Sequence, residues 1–145
     1  MPLSSTDLKK ELINVGIAIL IFCMIQGILY ATLGVFPPYR VISSGSMEPV
    51  YHEGDIIFIK DIAPQSIENG DIIVFKARNG TIPIVHRVIE IIEENGNLYF
   101  VTKGDNNPFS DSYYSPGIPE SSVIGTPICK IPKIGWISLF LRRII

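Results

Sequence analysis

Charged residues are scarce in this sequence, and one long run has none. Asp, Glu, Lys and Arg make up 18% of the residues, compared with about 25% in a typical soluble domain. The 28 residues from Leu12 to Tyr39 contain none of the four. All of the charges lie in the rest of the chain, so the sequence combines an apolar, membrane-type segment with one nearly ordinary globular domain.

The net charge and the few cysteines and histidines argue against a nucleic-acid surface, a disulfide and a metal site. The formal net charge is −2, so neither a basic surface for nucleic acid nor an acidic tail is expected. Cys23 lies in the apolar run, where Cys129 could hardly reach it, so no disulfide is expected. The chain has two histidines and neither a CxxC nor an HExxH motif, so we expect no metal and no cofactor.

The apolar run is long enough to cross a membrane. Leu12–Phe36 contains only three appreciably polar side chains, and about 20 apolar residues suffice for a transmembrane helix. Pro37 and Pro38 are expected to end this helix. A cleaved signal peptide usually has an apolar core of about 7–15 residues, so we expect an uncleaved anchor. A removed signal peptide and a buried core helix are the alternatives.

The basic residues around the apolar run favour one orientation. Two lysines precede the run, whereas Arg40 alone follows it closely, which favours a cytoplasmic N-terminus. The predicted domains are a short cytoplasmic segment at 1–11, a transmembrane helix at 12–36 and an extracytoplasmic domain at 37–145.

The extracytoplasmic domain has the pattern of β structure. After Arg40, short β-branched runs alternate with Gly, Pro, Asn and Asp, which is typical of strands joined by turns. The predicted strands are Ile56–Lys60, Ile72–Lys76, Ile84–Ile92, Leu98–Thr102 and Val123–Ile131. Turns are predicted at Gly54-Asp55, Asn69-Gly70-Asp71, Asn79-Gly80, Asn95-Gly96 and Gly104-Asp105. The predicted fold class is therefore mainly β, with a single N-terminal transmembrane helix followed by a compact antiparallel β domain.

Two further segments have little predicted strand structure. Asn106–Pro119 contains three prolines and several turn formers, and such a long loop is usually functional or disordered. The apolar C-terminal tail from Ile134 is too short to span a bilayer. It is expected to pack on the domain or to lie at the membrane interface, with Trp136 and two arginines at headgroup level. A truncated second span is a third alternative.

The residues that remain favour serine-based nucleophilic chemistry. Ser43–Pro49 is small, polar and flexible, and a serine hydroxyl there would need a base within hydrogen-bond reach. His52 is interpreted as a surface residue in a turn. His86 lies in an apolar strand, where it is either a satisfied core residue or the base. A carboxylate from Asp105 or Asp111 would complete a triad, although either residue could instead hold a turn.

Four sequence blocks, in this order behind an N-terminal anchor, resemble type I signal peptidase, peptidase family S26. The blocks are Ser44–Pro49, Gly70–Phe75, Ile84–Val88 and Thr102–Asn107, with Asp111 after the last. Bacterial members carry lysine directly before the Arg-Val of the third block, whereas this chain has His86, as in the archaeal and endoplasmic-reticulum branch. The resemblance implies a β domain of the signal-peptidase type. It also implies a serine endopeptidase that cleaves signal peptides after small residues.

The resemblance also implies roles for individual residues. Ser46 matches the nucleophile, and His86 matches the general base that then acts as an acid. Asp111 matches the residue thought to orient the histidine, and Asp105 matches an aspartate that is needed in the family, in a catalytic or a structural role. The hydroxyl of Ser44 and the backbone N–H of Ser46 match the oxyanion donors. The expected substrate-binding residues are Met47, Val50, Ile82 and Ile84.

The implied partners are secretory precursors with signal peptides and the lipid bilayer. The expected location is the cell membrane or the endoplasmic-reticulum membrane. The sequence leaves open whether membrane partner subunits are needed. Two alternative hypotheses remain. The first is a non-catalytic membrane-tethered β module that binds peptides or partner proteins, and the second is a protease of the same fold with one dedicated substrate.

Overall fold

The computed structural model describes residues 5–78, 80, 82–111 and 114–144. The sequence predictions that lie outside these ranges concern the first four residues of the cytoplasmic segment, Asn79 of one predicted turn, residue 81, residues 112–113 of the long loop and residue 145 of the C-terminal tail. The side chains of the two arginines predicted at headgroup level also lie outside the described part of the chain. Within the described ranges, a long N-terminal helix is followed by seven strands and a shorter C-terminal helix.

The N-terminal helix α1 covers Ser5–Leu33. Its part from Asp7 to Leu33 is long and apolar enough to cross a bilayer, and none of its most apolar stretch is buried, which contradicts the alternative of a buried core helix. The helix ends before Pro37, the first of the two prolines expected to end it. Gly34 has a φ of 71° and its N–H donates to the Tyr30 carbonyl at 2.9 Å, so a glycine cap ends the helix first.

Seven strands form one antiparallel sheet that curls around the core, which confirms the predicted mainly β fold. They are β1 Tyr39–Val41, β2 Ile56–Lys60, β3 Ile72–Phe75, β4 Ile84–Glu94, β5 Asn97–Lys103, β6 Ile118–Pro119 and β7 Val123–Ile131. Their order across the sheet is β1-β2-β7-β3-β4-β5-β6, and every pair of neighbours is antiparallel. Strands β4 and β5 extend beyond their predicted ends because they continue to a tight turn. Asn95 and Gly96 in that turn both have positive φ, as a two-residue hairpin requires.

The core lies on both faces of the central strand β3. Phe75 packs with Phe100 and Ile118 in one cluster, whereas Val74 packs with Ile57 and other residues in a second cluster. Successive strand residues point to opposite faces, so β3 contributes to both clusters. In the register between β3 and β4, Ile73 lies opposite His86. His86 is therefore placed at the margin of the first cluster.

The C-terminal tail forms helix α2, Trp136–Ile144, where sequence reasoning assigned no regular structure. Its start is fixed by Gly135, whose N–H donates to the Gly54 carbonyl at 2.9 Å, and Leu139 is buried against the domain. One side of α2 thus packs on the domain, as one of the alternatives expected. The exposed apolar residues of the helix include Ile137, Phe140 and Leu141.

Candidate active site

Ser46 lies in the loop between β1 and β2, and its neighbours hold it in place. The adjacent Met47 is buried, with 2% of its surface exposed. The segment after β5 supplies two hydrogen bonds: the Asn106 N–H donates to the Ser46 carbonyl at 2.8 Å, and Asn106 Nδ2 donates to the Gly45 carbonyl at 3.1 Å. These contacts fix the backbone on both sides of the serine hydroxyl, which itself stays accessible.

His86 connects Ser46 to a carboxylate. It lies on β4 with 6% of its surface exposed, and its ring meets Phe75 edge to face. Nδ1 lies 2.6 Å from Asp111 Oδ2, and Nε2 lies 3.2 Å from Ser46 Oγ. An ionised carboxylate can only accept hydrogen bonds, so Nδ1 carries the proton and donates it to Asp111. Nε2 is then free to accept from the Ser46 hydroxyl, as a general base must.

Asp111 is held by a residue that sequence reasoning did not assign to the site, Thr102 on β5. The Thr102 hydroxyl donates to Asp111 Oδ2 at 2.5 Å, and the Asp111 N–H donates to the Thr102 carbonyl at 2.8 Å. A signal for it was present, because alternation along β5 puts Thr102 on the same face as the buried Phe100. A polar side chain on a core face needs a hydrogen-bond partner.

Asp105 lies at a different contact. Its carboxylate accepts two hydrogen bonds from Arg87, from Nε at 2.8 Å and from Nη2 at 2.7 Å. These bonds lower the pKa of Asp105, although burial acts in the opposite direction, and they raise the pKa of Arg87. Arg87 Nη1 also donates to the Gly70 carbonyl at 2.7 Å. Of the two candidate acids, Asp111 is therefore the one that contacts His86, and Asp105 ties the loop after β5 to β4.

The loop after β5 also approaches Ser46 too closely for a larger residue at its first position. A Cβ built on Gly104 would lie 2.6 Å from the Ser46 carbonyl oxygen, a distance at which the backbone must shift. The glycine in Gly104-Asp105 is therefore required by close packing against the serine loop.

The hydroxyl of Ser46 opens into a cleft of about 760 Å³. One wall is the chain that runs from Pro37 through β1 to Met47, and the other includes Ile82 and Ile84. Ser44 also lines the cleft, and its Oγ is 3.4 Å from Ser46 Oγ. Three of the four expected substrate-binding residues thus face the cleft.

Val50, the fourth expected substrate-binding residue, does not line this cleft. The Tyr51 N–H donates to the Met47 carbonyl at 2.9 Å, and this turn leads the chain away from the cleft towards β7. The Val50 carbonyl there accepts a hydrogen bond from Lys130 Nζ at 2.6 Å. Val50 therefore lies outside the set of residues that line the cleft, and a role for it in substrate binding stays a prediction. Cleft-lining residues that sequence reasoning did not assign include Tyr39, Val41, Ile42, Val85, Ser138 and Leu139.

The other candidate groups lie apart from this arrangement. The side chain of His52 is exposed, and Cys23 and Cys129 are both free. In the part of the chain that the structure describes, no three side chains of His, Cys, Asp or Glu are grouped so that they could hold a metal ion.

Comparisons with known proteins agree with one another. Residues 12–91 match a family model described as signal peptidase, peptidase S26. The chain is 34% identical over 145 residues to the signal peptidase complex catalytic subunit SEC11C of Canis lupus familiaris, which covers 97% of this chain and 76% of that protein. It is 35% identical over 149 residues to SEC11C of Homo sapiens, with coverage of 94% and 78%. It is also 32% identical over 141 residues to the signal peptidase complex catalytic subunit sec11 of Dictyostelium discoideum, with coverage of 94% and 78%.

Proposed function

Because the chain belongs to the signal peptidase family, peptidase S26, we propose that it is a membrane-anchored serine endopeptidase that removes signal peptides from secretory precursors. One observation carries the proposal: Ser46 Oγ, His86 and Asp111 form a continuous hydrogen-bonded chain of 3.2 Å and 2.6 Å. The chain of contacts ends at the cleft of about 760 Å³ that Ser46 and His86 both line.

In the first chemical step, Ser46 Oγ attacks the carbonyl carbon of the scissile peptide bond. His86 Nε2 takes the hydroxyl proton as the bond forms, and the resulting imidazolium is stabilised by the carboxylate of Asp111 at Nδ1. The tetrahedral intermediate collapses when Nε2 returns this proton to the leaving amine. The mature protein departs, and the signal peptide remains as an ester on Ser46.

In the second step, water hydrolyses the ester. His86 Nε2 accepts a proton from the water as its oxygen attacks the ester carbonyl, and it then protonates Ser46 Oγ as the acid leaves. The serine and the imidazole are restored, so the cycle balances without a cofactor.

The negative oxygen of each tetrahedral intermediate needs donors near Ser46. We assign this role to the Ser44 hydroxyl, which lies beside Ser46 Oγ on the cleft wall, and to the backbone N–H of Ser46. Such a donor typically contributes about 2.7–4 kcal/mol in the transition state.

The substrate is proposed to bind as an extended peptide along the cleft. Backbone groups of a cleft wall would pair with it as with an added strand, and the apolar side chains of Met47, Ile82 and Ile84 would contact the substrate residues before the scissile bond. A close apolar wall favours small residues there, which agrees with the specificity that the family resemblance implies.

The anchor sets where the reaction takes place. Twelve residues separate Leu33 from Ser46, and the Asp61 N–H donates to the Leu33 carbonyl at 2.7 Å, so the end of α1 is joined directly to the sheet. We place the N-terminal segment in the cytoplasm and the β domain outside it, in the cell membrane or the endoplasmic-reticulum membrane. Ser46 would then lie near the membrane surface where a precursor emerges.

The C-terminal helix is placed at the same surface. Ile137 and Phe140 are exposed apolar residues of this helix. Leu139 of the same helix lines the cleft together with Pro37. Pro37 follows the end of α1 by four residues, so the helix lies close to the end of the anchor. Contact with lipid would bury this apolar side. The relatives are named as subunits of a signal peptidase complex, so membrane partner subunits are proposed for this chain as well.

The two histidines provide a matched test. The full chain is reconstituted in vesicles, and cleavage of several precursors with unrelated signal sequences is measured for His86→Ala and for the control His52→Ala. His86→Ala is expected to lower the rate by at least about 10³-fold, whereas His52→Ala should cleave like the unmodified chain. Full activity of His86→Ala would overturn the proposal. If the unmodified chain cleaves only one of the precursors, a protease with one dedicated substrate is favoured instead.

A further inference from the structure

We propose that Thr102 is a positioning residue for the reaction, acting on His86 through Asp111. The inference rests on the proposed function, because it gives Thr102 a part in that same hydrogen-bonded chain. It extends the chain from three residues to four: Ser46, His86, Asp111 and Thr102.

The geometry ties Asp111 to Thr102 at two points. The Thr102 hydroxyl donates to Asp111 Oδ2 at 2.5 Å, and the Asp111 N–H donates to the Thr102 carbonyl at 2.8 Å. The same oxygen, Oδ2, accepts from His86 Nδ1 at 2.6 Å. One carboxylate oxygen is therefore held from two sides, and its position relative to the imidazole follows from the position of Thr102.

The elements that carry these residues differ in how firmly they are held. Thr102 lies on β5, with 1% of its surface exposed, and it pairs in register with Val88 on β4. His86 lies on β4 as well, two residues earlier. Asp111 instead lies in the irregular segment after β5. The Thr102 hydroxyl thus holds the Asp111 carboxylate in a fixed position relative to the paired strands β4 and β5, although Asp111 itself lies outside both strands.

Burial explains why this position has a hydroxyl. A threonine hydroxyl that is removed from water without a partner destabilises the fold, and valine has nearly the same shape without that requirement. Asp111 is the partner that the hydroxyl has here. Asp105 is paired with Arg87 and is not the hydrogen-bond partner of the Thr102 hydroxyl.

The hydroxyl and the methyl group of Thr102 can be separated by two substitutions. Thr102→Val removes the donor and keeps the shape, and it is expected to lower kcat by about 10- to 100-fold with little change in KM, as for the loss of a hydrogen bond to a charged group. Thr102→Ser keeps the donor and should restore most of the rate. The matched control is Thr126→Val, since the Thr126 hydroxyl donates to the Ile72 carbonyl at 2.9 Å, away from the Ser46–His86–Asp111 chain.

A double substitution separates positioning from simple damage to the fold. If Thr102 acts through Asp111, adding Thr102→Val to Asp111→Asn should cause no further loss of kcat, because the two residues form one unit. A structural defect would instead multiply with the loss from Asp111→Asn. Such a multiplied loss would overturn the inference.

The deciding experiment measures precursor cleavage by the reconstituted full chain for all of these variants, together with Ser46→Ala. The inference is also overturned if Thr102→Val cleaves at the unmodified rate. It is likewise overturned if Thr102→Ser cleaves as slowly as Thr102→Val. The result for Thr102→Ser can be interpreted even if the valine variant fails to fold. Activity that persists in Ser46→Ala would instead refute the proposed function, so the two failures are distinguishable.

Discussion

The ion pair between Asp105 and Arg87 gives a prediction about stability that can be worked out in detail. Asp105→Asn keeps the size of the side chain but replaces one of the two charged acceptor oxygens, which now receive bonds of 2.7 and 2.8 Å, with an amide group. The next residue, Asn106, donates to the Ser46 carbonyl. Loosening the ion pair should therefore weaken both the fold and the serine loop.

The expected magnitude follows from the bonds and their exposure. A hydrogen bond to a charged group contributes about 1.5–3 kcal/mol, and asparagine can still accept one bond from Arg87. The Arg87 side chain is 33% exposed, so water screens the pair and favours the lower end of this range. We expect a loss of about 1.5 kcal/mol in the free energy of unfolding, or about 6–12 °C in Tm for a domain of this size.

The pH dependence has a definite sign. The pKa of Asp105 is lowered in the folded protein, so the pair stabilises the fold above the unfolded pKa of about 3.9 and loses this contribution as pH falls through the folded pKa. The difference in unfolding free energy between the unmodified chain and Asp105→Asn should therefore be constant from about pH 5 to 7 and shrink below about pH 4.

Thermal unfolding in detergent, followed by circular dichroism across this pH range, measures the effect. Glu90→Gln is the matched control, because it makes the same chemical change at an exposed carboxylate on β4. A Tm shift for Asp105→Asn no larger than that for Glu90→Gln, or an effect as large at pH 3 as at pH 7, would mean that the ion pair does not stabilise the fold in this way.

Three further predictions concern the site directly. Ser44→Ala should lower kcat by about 10²-fold with KM nearly unchanged, as for the loss of an oxyanion donor; an unchanged kcat would contradict the assignment. Gly104→Ala should lower both Tm and cleavage rate, because its Cβ would lie 2.6 Å from the Ser46 carbonyl oxygen; a variant with unmodified Tm and rate would contradict the close approach. His86→Lys should cleave precursors very slowly, since an ammonium group cannot reproduce the two-sided contacts of the imidazole with Ser46 and Asp111; a rate near that of the unmodified chain would show that this geometry is dispensable.

Local sequence patterns predicted most of the fold, for identifiable reasons. Strands β2 and β7 have their predicted bounds. Strand β2 is an uninterrupted run of strand-forming residues after a turn, whereas β7 begins and ends at the β-branched residues Val123 and Ile131 although Gly125 and Pro127 interrupt it. Strands β1 and β6 contain only three and two residues, too few for alternation to be visible. Helix α1 ends at a glycine cap rather than at the proline pair, since a cap acts wherever the chain first adopts positive φ.

The site was predictable where motif and chemistry coincide. The sequence predicts Ser46, His86 and Asp111 as site residues, and in the structure His86 lies within hydrogen-bond distance of each of the other two. Alternation along β5 marks Thr102 as a buried polar residue that needs a hydrogen-bond partner. The partner of Thr102 and that of Arg87 could not be assigned, because these contacts depend on strand register and on how the loop after β5 folds back. Neither is encoded in the spacing of residues along the chain.

If Ser46 is the nucleophile, its replacement by alanine should abolish cleavage of a precursor. The variant is reconstituted beside the unmodified chain at equal amounts, and the mature product is quantified over time. The cleavage rate of Ser46→Ala should fall by at least about 10³-fold while Tm stays within a few degrees, since the hydroxyl lies on the cleft surface. A rate within about twofold of that of the unmodified chain would mean that Ser46 is not the nucleophile.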